Sequence, residues 1–416
     1  MSGVNRPELL SPAGSMESLK AAVNGGCDAV YLGGKQFSAR QYAGNFDLKE
    51  LEDACDYCHL RGVKVYVTVN TVYKDEELAG FLTYIRSLYE MGVDALIMQD
   101  TGAERLVKAH FPDFPLHAST QMTCNSLADV KYWEGRGFDK IVLSRELSLE
   151  EIKHITENTE AEIETFVHGA LCVCYSGQCI MSSMLGGRSG NRGRCAQTCR
   201  LPYTLYKGYD SMAEGYLLSP KDVMTVEILP QLIEAGIASL KIEGRMKSPE
   251  YVAGVTRIYR KYIDLYFENP EEYKVDPADI KALQQLFNRG GFTEGYYTSF
   301  AGREMMSIER PKSWGLKVGI VDKYLPKYKK VTIRTREPLV PGDGLEIWTQ
   351  TEPHVGTNVS KHSKAGEVIT ITLEGDINKN DVVYRTFGKA LQDELKKTYE
   401  KDTRKLPIYG MLRVKE

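Results

Sequence analysis

From residue 8 to about residue 266, short apolar runs alternate with stretches of helical periodicity, and this alternation limits the possible fold more than any other feature. The runs ELLS (8–11), AVYL (29–32), VKVYVTV (63–69), ALIM (95–98), 116–119, 141–143, 163–167 and SLKI (239–242) read as strands. Helical patterns cover Met16–Asn24, 48–61, 76–91, 126–135, 149–155 and 249–267. Strands that are apolar throughout are buried on both faces, as in parallel sheets covered by helices. Eight of them with helical crossovers predict an α/β fold, a closed (β/α)8 TIM-like barrel. An open doubly wound sheet is the alternative, because periodicity does not reveal closure. Three phrases, GGCDA (25–29), MGVDA (91–95) and AGIAS (235–239), each end a helix on glycine and start a strand, a repeat expected of such barrels.

With 416 residues, 42% of them hydrophobic, the chain can bury a large core and still carry an appendage. After the last barrel helix, Asp276 can cap and Pro277 can open a short helix that Gly290 and Gly291 would stop. Beyond about residue 310 the pattern changes to strand-like runs at 316–321, 330–334, 344–348, 367–372 and 381–384, split by turns such as PGDG (341–344). A helix follows near 389–399. The expected division is a barrel over 1–305, with an insertion at about 169–215, and a small β-barrel-like domain over 306–416. Residues 323–336 carry six basic and no acidic side chains, interleaved with Tyr324 and Tyr328. They read either as a solvated hairpin or as a surface for RNA. The final LPIYGMLRVKE reads like the start of another strand, so the chain is expected to continue in a longer protein.

Five of the nine cysteines, Cys172, Cys174, Cys179, Cys195 and Cys199, fall in one stretch. Residues 171–209 also hold Arg188, Arg192, Arg194, Arg200 and Lys207 and no acid, a local excess of +5 on a chain of net charge −3. The first residues form no apolar signal-peptide core, and no run is long enough to cross a membrane. A cytoplasmic protein with reduced thiols is the expectation, and clustered thiols there are ligands or redox groups. Cys172, Cys179, Cys195 and Cys199 follow one another at intervals of 7, 16 and 4 residues. Thiolates suit iron–sulfur clusters or zinc. The interval from Cys172 to Cys179 is too wide for a zinc knuckle, whereas that from Cys195 to Cys199 would serve either. Buried, inert thiols are the remaining reading. Cys174 reads as a small core residue, as do Cys27, Cys124 and the Cys55/Cys58 pair on one helix face.

In such a barrel the polar residues ending the strands face the active-site mouth. They are Ser11, Gly33, Asn70, Gln99, Gln121, Arg145, Glu146, His168, Glu243 and Arg245. The cysteine segment leaves strand seven just after His168, so it would fold over that mouth. His168, Glu243 and Arg245 are therefore the candidate catalytic residues. Arg188, Arg192, Arg194, Arg200 and Lys241 are the candidate substrate- or anion-binding residues, with a structural ion pair as the other reading of Lys241. The glycine-rich LGGRSGNRG (185–193) could wrap an anion with backbone N–H groups. Zinc-protease, serine-hydrolase and phosphate-loop signatures are absent from the sequence.

The motifs ETFVHGALC from Glu164, NRGRCAQTCRLPY from Asn191, YLLSPKD from Tyr216, KIEGRMKSPEYVA from Lys241 and FNRGGFTEGYY from Phe287 complete the picture. With the opening PELLSPAGSMESLKAAVNGGCDAVYLGG, the chain resembles peptidase family U-32 (collagenase-like) over nearly its whole length. The peptidase name has weak chemical support here. The resemblance extends to prephenate-dependent RNA hydroxylases, acting on a 23S ribosomal RNA cytidine or a tRNA wobble uridine, and to oxygen-independent hydroxylases of quinone precursors. It implies an RNA-modifying enzyme with a 4Fe–4S cluster on Cys172, Cys179, Cys195 and Cys199, and prephenate as a possible co-substrate. Leu201 stands where the tRNA branch more often has tryptophan, so the ribosomal branch is preferred. A collagenase-like peptidase and a quinone-pathway hydroxylase are the alternatives.

Overall fold

The computed structural model describes residues 4–298, 302–350, 352–407 and 409–414. Its first part alternates strictly: β1 Glu8–Pro12, α1 Met16–Asn24, β2 Ala29–Gly33, α2 Leu48–His59, β3 Lys64–Val69, α3 Leu78–Glu90, β4 Ala95–Met98 and α4 Thr101–His110. Then follow β5 Leu116–Ala118, α5 Leu127–Glu134, β6 Lys140–Val142, α6 Leu149–Thr156 and β7 Glu162–Ala170. The cysteine segment holds α7 Met181–Gly186 and a hairpin, β8 Tyr203–Lys207 with β9 Asp210–Gly215. The chain returns through β10 Asp222–Met224, α8 Leu229–Glu234, β11 Ser239–Ile242 and α9 Pro249–Glu268.

Strands β1 to β7 and β11 pair in parallel, and β11 closes on both β1 and β7. The barrel is closed and eight-stranded, as the alternation predicts. Several helices begin on side-chain caps, among them Ser15, Ser126 and Ser248, while Asp47 with Glu50 and Ser148 with Glu151 form reciprocal capping boxes. The repeated glycines end them: Gly26, Gly92 and Gly236 have φ of 93°, 76° and 81°, a left-handed turn that favours glycine. Two of the three phrases carry an aspartate just ahead of their strand, and Asp139 stands in the same place ahead of β6. Asp28, Asp94 and Asp139 accept hydrogen bonds from the backbone N–H of Leu9, Val65 and Leu116, closing the start of each preceding strand.

The barrel's interior is polar as well as apolar. Beside Leu10, Tyr31 and Ile97 runs a chain in which Lys140 and the Tyr66 hydroxyl contact Glu8 at 2.7 and 2.6 Å. Ser239 bridges Glu8 to Glu164, which pairs with Lys241 at 2.7 Å. Every member of this chain has a charge partner, which such burial requires.

α10 Pro277–Leu286 starts under the Asp276 cap as expected but stops ahead of Gly290, and β12 Phe292–Thr293 joins β10. Six antiparallel strands follow: β13 Leu316–Leu325, β14 Lys330–Thr335, β15 Gly344–Trp348, β16 Val355–Asn358, β17 Val368–Thr372 and β18 Val382–Phe387. They form one sheet in the order β16-β15-β18-β13-β14-β17 around its own core of Val318, Val321, Val331, Ile333, Ile347 and Val383. α11 Lys389–Tyr399 returns to the barrel, where the Tyr399 hydroxyl donates to Glu250 at 2.6 Å. Among the described residues, 400–414 form no strand, contrary to expectation, and no helix is long and apolar enough to cross a membrane.

Candidate functional site

The cysteine insertion is fixed to the barrel's C-terminal rim at several points. Arg200 donates to the Leu171 carbonyl at 3.0 Å, the Ser219 hydroxyl at 2.7 Å and the Pro220 carbonyl, bringing Cys199 back beside the start of the insertion and Cys172. Ser182, at the start of α7, accepts from the Ala196 N–H at 2.9 Å and donates to the Arg188 carbonyl at 2.6 Å, joining the Cys179 and Cys195 arms. Gly193 has a φ of 75°, and a Cβ there would stand 2.5 Å from the Ser38 carbonyl oxygen. The insertion could not approach the β2–α2 loop with any other residue at that position.

These contacts gather the thiols. Burial raises the Cys199 pKa, Arg200 opposes this, and the charges of Cys172, Cys195 and Cys179 raise it further. Every cysteine is free of disulfide. Cys172 and Cys195 are exposed, Cys179 and Cys199 half-buried. Cys174, expected in the core, is half-buried instead, with its pKa raised by burial and by the adjacent Cys179.

Arg40 connects the thiols to the barrel mouth. Its pKa is raised by Glu243 first, then, against burial, by Cys172 and Cys195, and its guanidinium lies 3.6 Å from the Glu243 carboxylate. Arg145 stands 3.5 Å from the other Glu243 oxygen, packs over the Phe166 ring at 3.8 Å and donates to the Ala170 carbonyl. Burial would raise the Glu243 pKa, but Arg40, Arg145, Arg245 and Lys241 outweigh it and keep the carboxylate ionised. Arg245 donates to the Ser38 and Thr68 hydroxyls, both at 2.8 Å, and burial lowers its pKa to about 10. A Cβ on Gly33 would stand 2.4 Å from that guanidinium, so the strand end must be glycine for Arg245 to fit. One carboxylate among three guanidiniums leaves the mouth net positive.

The sequence model of peptidase family U32 matches residues 14–307. The chain belongs to that family. This U32 protein is 37% identical over 352 residues to tRNA hydroxylation protein P1 of Bacillus subtilis, an alignment covering 82% of the chain and 83% of that relative. It is 40% identical over 371 residues to the 23S rRNA 5-hydroxycytidine C2501 synthase of Escherichia coli, covering 87% of the chain but 55% of the relative. The chain thus spans about half the length of that protein. It is also 31% identical over 395 residues to tRNA hydroxylation protein P of Escherichia coli, covering 83% of the chain and 86% of the relative.

The candidate residues of the U32 protein divide into two groups. Glu243 and Arg245 meet at the mouth. His168 does not: a bulge sets Phe166 and His168 of β7 against the adjacent Lys241 and Ile242 of β11, and the extra residue turns His168 outward. There it packs against Tyr251, Tyr259 and Phe292, and burial lowers its pKa to about 3, so it stays neutral. Lys241 is engaged by Glu164 inside the barrel, Arg192 by Glu77, and Arg200 by the oxygens named above. Arg188 donates from Nε to the Arg194 carbonyl at 3.0 Å and lies over the Tyr42 ring, and the Arg194 side chain is exposed. Arg40 and Lys247 escaped the sequence reading. Arg40 lies in the polar 34–47 loop, not at a strand end, and Lys247 lies two residues beyond Arg245.

The donor set suits the cluster that the family resemblance implies. Four free thiols from one insertion act on one another, with no imidazole in the group. Among the described residues no three His, Cys, Asp or Glu side chains converge as a group that could hold a single metal ion. A four-iron cluster sets its thiolates further apart than one ion does.

Proposed function

We propose that this U32 protein hydroxylates a pyrimidine base of RNA, a 23S ribosomal RNA cytidine in preference to a tRNA wobble uridine. The supporting observation is the meeting of Arg40, Arg145 and Glu243 at the C-terminal rim of the barrel, where barrel enzymes carry out their chemistry, with Cys172 and Cys195 of the cysteine insertion acting on Arg40. The names of the relatives point to the same chemistry, and Leu201 favours the ribosomal branch.

Cys172, Cys179, Cys195 and Cys199 would hold a 4Fe–4S cluster, which supplies one-electron chemistry when bound. The protein's own groups do the rest. A base entering the mouth must first leave its stack. Arg40 and Arg145 face it with a positive surface suited to phosphate or to a dicarboxylate such as prephenate, the co-substrate that the resemblance suggests. Glu243, held ionised, keeps both guanidiniums oriented and offers an acceptor to the base.

Mass spectrometry of nucleosides and mapped fragments, from ribosomal and transfer RNA of strains with and without the gene, tests the proposal. Loss of one oxygen's mass from a ribosomal cytidine on deletion is the expected result. The same loss from wobble uridine would move the protein to the tRNA branch, and unchanged RNA would sink the proposal. A collagenase-like peptidase, by contrast, would keep its activity without iron and after Cys195→Ala.

A further inference from the structure

A cleft of about 660 Å³ opens beside the cysteine insertion, between the β2–α2 loop, the residues leading into α3 and the glycine-rich turn. Its walls are fixed. The Gln41 N–H donates to the Gly193 carbonyl at 3.3 Å and the Val72 N–H to the Asn191 carbonyl at 3.2 Å. Phe37 holds a φ of 61°, a conformation that costs a non-glycine residue energy, with its ring wedged against Tyr73, Phe81 and Tyr84.

Most charges lining the cleft are engaged: Arg192 by Glu77, Lys35 by Asp47 at 3.0 Å and Lys74 by Glu76 at 3.5 Å. Three lining groups differ. The Arg194 guanidinium and the side-chain amides of Gln36 and Gln41 are exposed and have no hydrogen-bond or ion-pair partner among the described residues. Tyr42, next along the loop, is 56% exposed, and the Arg188 guanidinium lies 5.1 Å from its ring centre. One free guanidinium, two free carboxamides and an exposed ring under an arginine are the groups that recognise single-stranded RNA. Arginine pairs with phosphate, carboxamides hydrogen-bond base edges, and aromatic faces stack unpaired bases. The volume lies within the range of small-ligand pockets and is too small for a duplex.

We propose that this cleft holds a nucleotide flanking the target base in a single-stranded RNA segment, with phosphate on Arg194, the base edge on Gln36 and Gln41, and a neighbouring base stacked on Tyr42. This rests on the RNA reading of the mouth and extends it, because it gives the enzyme a contact that selects the sequence next to the modified base. Of the arginines on the glycine-rich loop, it makes Arg194 the phosphate ligand and Arg192 a structural clamp.

The test uses the full chain and short single-stranded oligocytidine and oligouridine RNAs, each carrying one thiouridine for photocrosslinking. Peptide mapping should find crosslinks on the peptide that contains Gln41 and Tyr42. Arg194→Gln should weaken binding several-fold and lower the salt slope by about 0.7, the value for one phosphate contact on a single strand. Gln36→Ala with Gln41→Ala should narrow the difference in affinity between the two RNAs while leaving the salt slope unchanged. These residues are exposed, so the variants should fold. Crosslinks confined to the barrel mouth, with Arg194→Gln binding as the parent does, would overturn the cleft and leave the RNA reading standing. No crosslink anywhere on the chain would overturn both.

Discussion

Arg192 of the cysteine insertion donates two hydrogen bonds of 2.7 Å, one to each oxygen of the Glu77 carboxylate at the entrance to α3. Its guanidinium also reaches the Val72 carbonyl at 2.6 Å. This planar fork is a joint between the insertion and the barrel, and lysine could not reproduce it.

Arg192→Ala or Glu77→Ala should therefore loosen the insertion without unfolding the barrel. Backbone amides of residues 187–195 should exchange hydrogen faster while those of β1–β4 keep their protection. The loss is about 1 kcal/mol, the upper range for a partly exposed pair of good geometry. Hydrogen bonds from Arg192 hold the Glu77 pKa down to about 2, against an ordinary 4.5. The contribution is complete above pH 4.5 and is lost as pH falls towards 2. In the parent the insertion should open further across that window, whereas in the variants, which have already lost the joint, its opening should not change with pH there.

Changing Cys172, Cys179, Cys195 or Cys199 to serine should each remove most of the iron and sulfide from anaerobically purified protein. Cys174→Ser should retain them, because Cys174 stands beside Cys179 as a neighbour outside the proposed donor set. Iron and acid-labile sulfide analysis, with the visible absorption spectrum, provides the readout. Full iron in any of the first four variants would remove that cysteine from the set.

Glu243 balances Arg40 and Arg145 from a site where only 16% of its side chain is exposed. Glu243→Gln keeps the shape and removes the charge, leaving two guanidiniums facing each other. Unfolding in denaturant should show a loss of about 2 kcal/mol, below the full cost for a buried pair because Arg40 reaches solvent. RNA modification should fall further than stability explains. A variant as stable as the parent would show that the arginines do not depend on this carboxylate.

The barrel was legible because its strands are apolar on both faces, so ELLS, AVYL and ALIM stand out from their surroundings. α4 (TGAERLVKAH) was not, because its apolar residues are few and its surface is charged. Nor was the β8–β9 hairpin, which exposes Leu205, Tyr206 and Met212 and has no alternation of buried and exposed positions. The two basic residues Lys241 and Arg245 and the acid Glu243 lay at a readable strand end. Their partners Glu164, Arg40 and Thr68 come from other strands and loops, a relation that only closure of the barrel reveals. His168 was misplaced for a narrower reason. Strict alternation from Glu164 and Phe166 points it into the barrel, and one bulged residue reverses that facing with no mark in the sequence.

Lys247 leads to the last prediction. It follows β11 with its amine over the Phe287 ring and near that of Tyr251. Among the described residues it has no ion-pair partner: Asp222 is engaged by Arg289, and Glu243 lies between Arg40 and Arg145. Burial pushes its pKa down to about 7; the charges of Asp222 and Glu243 oppose this, and those of Arg289 and Arg200 add to it. Near neutral pH this amine is therefore partly uncharged, whereas an exposed lysine is fully protonated. An amine-directed acylating reagent at pH 8 should label Lys247 ahead of exposed lysines, and the preference should fade below pH 7, as peptide mapping would show. The same displacement has a stability consequence of known sign. The folded state binds fewer protons than the unfolded between about 7 and the ordinary 10.5, so the lysine lowers stability most at and below neutral pH. Lys247→Met should raise the melting temperature at pH 7, and the gain should shrink as pH approaches 10.5, where the amine is neutral in both states. If that stabilised variant also loses RNA modification, the strained amine serves the chemistry at the mouth. If modification persists, Lys247 is a packing residue whose charge the fold merely tolerates.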